Sequence, residues 1–218
     1  MTEPASTRST PTPPRRLPLV DQPAPGDLRT KAALARARGA EICPAVTALD
    51  RCCAGQLQAI EQSYRRFDPF DTGHYRAFLL GQAMALPGLE NSVRDKGWSG
   101  WKPRFAQLMA DLADFGMFLP KPMLASHAQG AGAWGIQYAL ETLQGSIRTA
   151  FPQVAAGMPA RYLNAFGDHD ARWRAFCRAL AAEGIKGNAE WSEMLVDGAT
   201  EAFQHMHRGT LIVLDDTA

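Results

Sequence analysis

No apolar run in this chain approaches the ~18 residues that a membrane-spanning helix needs, so no segment is expected to cross a bilayer. Neither sign of charge is in excess: 23 Lys and Arg meet 22 Asp and Glu, for a formal net charge of +1. That balance gives no basic footprint for nucleic acid. Cysteine is scarce. Cys43, Cys52, Cys53 and Cys177 fit neither a zinc ribbon nor a CxxC redox pair. Cys52 and Cys53 are adjacent in a helical stretch, which is poor geometry for a mutual disulfide. All four are expected as buried or half-buried thiols in a reducing compartment. The five histidines form no HExxH, no ExxH and no zinc spacing with cysteine. A glycine-rich phosphate loop and a GxSxG elbow are also missing. Without alternating strand runs, the remaining class is all-α. The run LPLVDQPAPG after Arg15 and Arg16 is too short and too proline-broken for a secretion signal, and a cytoplasmic protein is expected.

What is present suits one domain. The 218 residues are 46% apolar and 21% charged, and a chain of this size buries about 70% of its extended surface without staples. Seven of the 15 prolines fall in the first 25 residues. Residues 1–26 therefore read as a disordered Pro/Ser/Thr-rich arm, 27–209 as the helical domain and 210–218 as an extended tail. The tail's LIVLDD is strand-like but has no partner strand.

Within the domain, 27–40 is an Ala- and Arg-rich peripheral helix by propensity. Over 44–67, Val46, Leu49, Cys53, Leu57, Ile60, Tyr64 and Phe67 recur at spacings of three and four and make one apolar stripe. Asp71 is placed to cap the next helix, which carries Tyr75, Phe78, Leu79, Met84, Leu86 and Leu89 and a kink at Pro87. A helix over 102–116 should turn Phe105, Leu108, Met109, Leu112 and Phe115 inward and stop at Gly116. Helices over 126–151, 168–183 and 188–208 complete the domain. The 126–151 segment holds Gly130, Gly132, Gly135 and Gly145, at about 1 kcal/mol each inside a helix, so the backbone there must come close to a neighbour or a ligand. Trp98 and Trp101 read as packing anchors. Glu201 and His205, at i and i+4, read as a solvated pair.

The runs LQAIEQSYRRFDPFDTGHYRAFLLGQAMALPGLE, KPRFAQLMADLADFG and GIQYALETLQGSIRTA, followed by WRAFCRAL and GATEAFQHMH, resemble the bacterial biliverdin-producing heme oxygenases in order and spacing. The resemblance spans roughly residues 49–208. It implies a single all-α heme oxygenase-like bundle that holds heme, or another tetrapyrrole, between a proximal and a distal helix. In that family the proximal helix supplies an axial His, with a carboxylate four residues later that orients its ring. Here the carboxylate falls on Glu61 and the axial position on Leu57. The family's Tyr-x-x-Glu falls on Tyr138 and Glu141. Its distal glycine run is reduced to Thr142-Leu143-Gln144-Gly145-Ser146.

The implied pocket comprises Leu57, Ile60, Glu61, Tyr138, Glu141, Thr142, Gly145 and Ser146. Iron in heme needs an axial donor, and a leucine side chain has no lone pair. Cys53, one turn earlier on the same stripe, is the substitute candidate. Glu61, deprived of an imidazole to orient, should find a new partner on a neighbouring helix, such as an Arg, a Trp N–H or a Tyr hydroxyl. Facing helices carry Glu61 and Glu141 but no His, which argues against a di-iron centre on the same architecture. No metal is expected at the site. Three readings stay open. The first is a pseudoenzyme that binds a small, flat, apolar ligand without turnover. The second is an active enzyme that uses another axial ligand and a reductase partner to make biliverdin. The third is an interaction domain with a filled pocket. Partners among nucleic acids or membranes are not expected.

Overall fold

A computed structural model describes residues 43–125, 128–165 and 167–215 of the chain. The arm over 1–26 and the helix expected over 27–40 lie outside these residues. The described residues form seven helices and no strand. They are α1 (Pro44–Cys52), α2 (Ala54–Tyr64), α3 (Thr72–Ser92), α4 (Phe105–Asp114), α5 (Ala131–Ala150), α6 (His169–Gly184) and α7 (Ala189–Asp215).

The stripe over 44–67 is divided at Cys53, whose φ of −101° and ψ of 6° leave helical geometry for one residue. The ladder survives: the Cys53 N–H reaches Leu49 at 2.8 Å and the Leu57 N–H reaches Cys53 at 3.0 Å. All seven stripe residues are consequently still buried. Asp71 caps α3 by accepting the His74 N–H at 2.8 Å, and Gly116 stops α4 at a φ of +63°.

Two expectations need correction in α4 and α7. Met109 does not turn inward; it is exposed, and Asp111 occupies the core side of that turn instead. The Asp111 carboxylate accepts the backbone N–H groups of Arg161 at 3.0 Å and Tyr162 at 2.8 Å, which satisfies a buried loop. Of the segment expected as an extended tail over 210–218, the described residues 210–215 are the last part of α7. Thr210, Val213 and Leu214 continue its buried face. A short apolar run cannot be assigned to strand or helix by pattern alone.

Helix α7 is the centre of the bundle and packs on α2, α3 and α5. Two of these crossings are backbone against backbone. A Cβ on Gly135 would sit 2.0 Å from the Leu195 carbonyl oxygen, and one on Gly198 would sit 2.2 Å from the Gly132 carbonyl oxygen. Gly81 of α3 and Gly209 of α7 meet the same way, at 2.9 Å and 2.6 Å. The glycines of α5 therefore serve a neighbouring helix. Aromatic rings fill the rest, with Phe78 at the middle of one group, beside Tyr64, Phe67, Phe151 and Tyr162.

The cysteines are all free. Cys43, Cys53 and Cys177 are buried, but Cys52 is exposed because it ends α1 on the outer side. Burial pushes the Cys177 thiol up to about 12. A thiol reagent added to the folded protein is expected to modify Cys52 rapidly and the other three only on unfolding. Cys52→Ser should remove the fast phase, as read by absorbance of the released chromophore.

Candidate functional site

The residues singled out by the resemblance lie on α2 and α5; Glu61, Tyr138, Glu141 and Ser146 among them are hydrogen-bonded within the protein, while the buried Thr142 hydroxyl has no hydrogen-bond partner among the described residues. Leu57 and Ile60 are buried in the core between the helices. A cavity able to hold a flat macrocycle would leave its lining open to a water-sized contact, yet Ile60, Tyr138 and Glu141 are 0% exposed. Glu61 is half-buried and accepts the Ser146 hydroxyl of α5 at 2.7 Å. Arg65, one turn on in the same helix, stands at 4.0 Å. The new partner expected for Glu61 is thus there, but it is a serine hydroxyl, and it ties together the two helices that heme would separate.

Tyr138 donates its hydroxyl to Asp50 of α1. Burial first, and the Asp50 charge second, push the phenol far above its ordinary value, so it remains a donor. Thr142 is buried beside that hydroxyl.

Glu141 turns away from α2 into a clamp of two arginines. Arg104 Nη2 donates at 2.7 Å, while Arg172 donates from Nε at 3.0 Å and from Nη2 at 2.8 Å. The Glu141 and Arg104 side chains are 0% and 2% exposed, and that of Arg172 is 12%. Burial alone would raise the Glu141 carboxyl, but the two guanidiniums outweigh it and hold the group below its usual range. Arg172 also lies 5.0 Å above the Trp98 ring. Trp98 packs edge-on to Phe176 at 5.6 Å, in keeping with its reading as a packing anchor.

Gly145 is the position where the family leaves bare backbone for its ligand. The ring of His169 covers it here. A Cβ on Gly145 would be 3.2 Å from that ring, and the His169 Nε2 donates to the Glu141 carbonyl oxygen at 3.0 Å.

The substitute axial candidate, Cys53, lies 3.8 Å from the Thr200 hydroxyl. Burial is the main influence on its thiol and raises it, against the opposing Thr200 bond. Metal ligation needs the thiolate, so the environment works against that role. Among the described residues no three His, Cys, Asp or Glu side chains group as metal ligands. The pair expected at Glu201 and His205 is not solvated, because His205 is only 8% exposed, although the Glu201 charge bears on its ring. The face of α2 opposite Leu57 borders an open groove of about 440 Å³ against α7, lined by Gly55, Gln56, Ala59, Phe203, Gln204 and His207.

Arg104, Arg172, Asp50 and His169 are the residues that sequence reasoning missed. WKPRF over 101–105 and RWRAF over 172–176 put Arg104 and Arg172 next to aromatics, but nothing in either run points to Glu141. No helix among the described residues is long and apolar enough to cross a membrane. The chain matches no protein-family model, no curated protein and no solved structure.

Proposed function

We propose that this chain is a heme oxygenase-like bundle that works as a non-catalytic interaction domain, its ligand position filled by its own side chains. The supporting observation is the closure between α2 and α5. Glu61 is bonded to Ser146 across the seam at 2.7 Å, and the resembling residues around that bond are buried in protein contacts. Binding in such a protein takes place on the outer surface. Free thiols fit a reducing cytoplasm.

A hemin titration tests this reading. Wild-type protein is expected to give only free-hemin absorbance and to form no biliverdin with a reductant. Leu57→His is expected to bind no heme either, and to lose roughly 1–3 kcal/mol of stability because its ring nitrogens enter an apolar core. A Soret band in the wild type would establish a substitute ligand. An imidazole-type Soret band in Leu57→His alone would establish a heme pocket that has lost only its ligand.

The flat-ligand reading has one observation in its favour, the groove of about 440 Å³ between α2 and α7, where Phe203 and Ala59 meet amides from Gln56 and Gln204. If a tetrapyrrole seats there, biliverdin or a metal-free porphyrin at 100 times its Kd should stabilise the fold by about 2.7 kcal/mol. An unmoved melting temperature removes that reading.

A further inference from the structure

The segment 117–125 is fastened near both ends. The Met117 N–H donates to the Leu112 carbonyl oxygen of α4 at 3.0 Å, and the Met123 N–H to the Met84 carbonyl oxygen of α3 at 2.7 Å. The backbone lies so close to α3 that a Cβ on Gly88 would be 2.5 Å from the Met123 oxygen. Between the two ties, Leu119 and Lys121 each precede a proline, which holds them extended. Residues 118–122 make no backbone–backbone hydrogen bond with the described residues. Their apolar side chains stand in solvent: Phe118 is 94% exposed and Leu119 48%, and Leu124 beyond the second tie is 94% exposed. A braced loop with open peptide groups and uncovered apolar side chains is preorganised as a ligand.

The groove between α2 and α7 is concave where this segment is convex. Its α2 wall is almost bare, because Gly55 and Ala59 form it and nothing lies within 4 Å of a Cβ placed on Gly55. Phe203 adds an apolar base, and Gln56 and Gln204 bring a carboxamide from each helix. A carboxamide can donate to a peptide carbonyl and accept from a peptide N–H. The volume, about 440 Å³, is in the range of sites that bury a compact ligand. Lys121 is the single charged residue of 117–125. Asp197, of opposite sign, is exposed two turns before Gln204 on the same face of α7.

We infer that the α2–α7 groove seats the 118–122 turn of a second copy of this chain, with Phe118 and Leu119 against Gly55, Ala59 and Phe203, and Lys121 towards Asp197. The segment of the same copy is held on α3 and α4 and does not line the groove. Seating covers what each feature leaves open. The apolar side chains leave water, and the open peptide groups meet the two amides. The two surfaces differ, so the contact is heterologous. It is also small, so association is reversible and rises with concentration. The inference deepens the interaction-domain reading by naming its partner. Heme binding by the wild type would remove that reading and leave self-association to be judged separately.

Sedimentation equilibrium of the full chain tests the contact. The apparent mass should climb above that of one chain as the concentration rises to about 1 mM. Phe118→Asp alters a side chain that stands in solvent, and it should weaken association about 30-fold, the loss of a hot spot. Gly55→Trp fills the groove and should weaken it comparably. Should Gly55→Trp not fold, Gln204→Trp on the exposed rim takes its place. The two variants mixed should associate again through one seat, because the first keeps its groove and the second its segment. A wild type that remains a single chain at about 1 mM overturns the inference. Association that survives either change, or a mixture that stays apart, overturns it equally. If the single chain instead binds phosphatidylserine vesicles and Phe118→Asp does not, the segment belongs to a lipid surface and the inference fails.

Discussion

Replacing Glu141 by alanine is expected to lower the unfolding free energy by about 3–5 kcal/mol, the scale for breaking a buried ion pair from one side. The carboxylate is the common acceptor of Arg104 and Arg172. Its loss takes this carboxylate away from two guanidiniums in the interior, although Arg104 still reaches the Leu140 carbonyl oxygen and Arg172 that of Gly100. Urea denaturation reads the loss as a lowered midpoint at an unchanged slope. The sign with pH follows from the lowered carboxyl. Such a group stabilises the fold above its unfolded value, near 4.3, and loses that contribution as the pH falls through its folded value. Glu141→Gln should therefore flatten the acid side of the stability curve relative to wild type. Burial raises the nearby Glu90 instead, an effect of opposite sign, but it is common to both proteins and cancels in the comparison. A midpoint within experimental scatter of wild type in Glu141→Ala would mean that the clamp contributes no net stability.

Gly135→Ala should give the second large loss, of about 1–3 kcal/mol or more for an overpacked contact. Helix propensity alone predicts the opposite, a gain of up to about 1 kcal/mol. The added methyl carbon would lie 2.0 Å from the Leu195 carbonyl oxygen and 2.7 Å from the Ala199 nitrogen. Both are backbone atoms, so no side chain can rotate aside and α5 must move off α7. Gly55→Ala supplies the control. Nothing lies within 4 Å of its Cβ, and it should stabilise the protein by about 0.5–1 kcal/mol. Thermal melts of the two variants should shift in opposite directions. A gain in both would show that α5 and α7 do not approach as described.

The helices were largely legible in the sequence because their buried faces repeat. The stripe from Val46 to Phe67 could be read residue by residue, and the Asp71 cap from its place before a periodic run. Legibility failed where a polar residue takes a core position for a tertiary partner. Asp111 displaced Met109 from the interior because two backbone N–H groups of a distant loop need its carboxylate. Glu141 could be picked out, but its partners are separated from it by 37 and 31 residues, and spacing says nothing at that range. The glycines of α5 called for either a neighbour or a ligand, and composition could not choose. Gly132 and Gly135 turned out to meet α7, and Gly145 the His169 ring. The end of α7 was misread because LIVL lacks enough turns to reveal its period.

The central position of α7 bears on how this protein is made. A ribosome delivers residues 1–188 before the helix that α3 and α5 close upon, at about 5–20 residues per second. For that interval the glycine faces around Gly81 and Gly135 have nothing to rest on, and the nascent chain cannot complete its core. Domains with an early nucleus can consolidate while synthesis continues; this one must wait for its keel. Arrest of translation before Ala189 should leave a chain that is cleaved by protease along its whole length, and extension past Asp215, clear of the exit tunnel, should make it resistant in a single step.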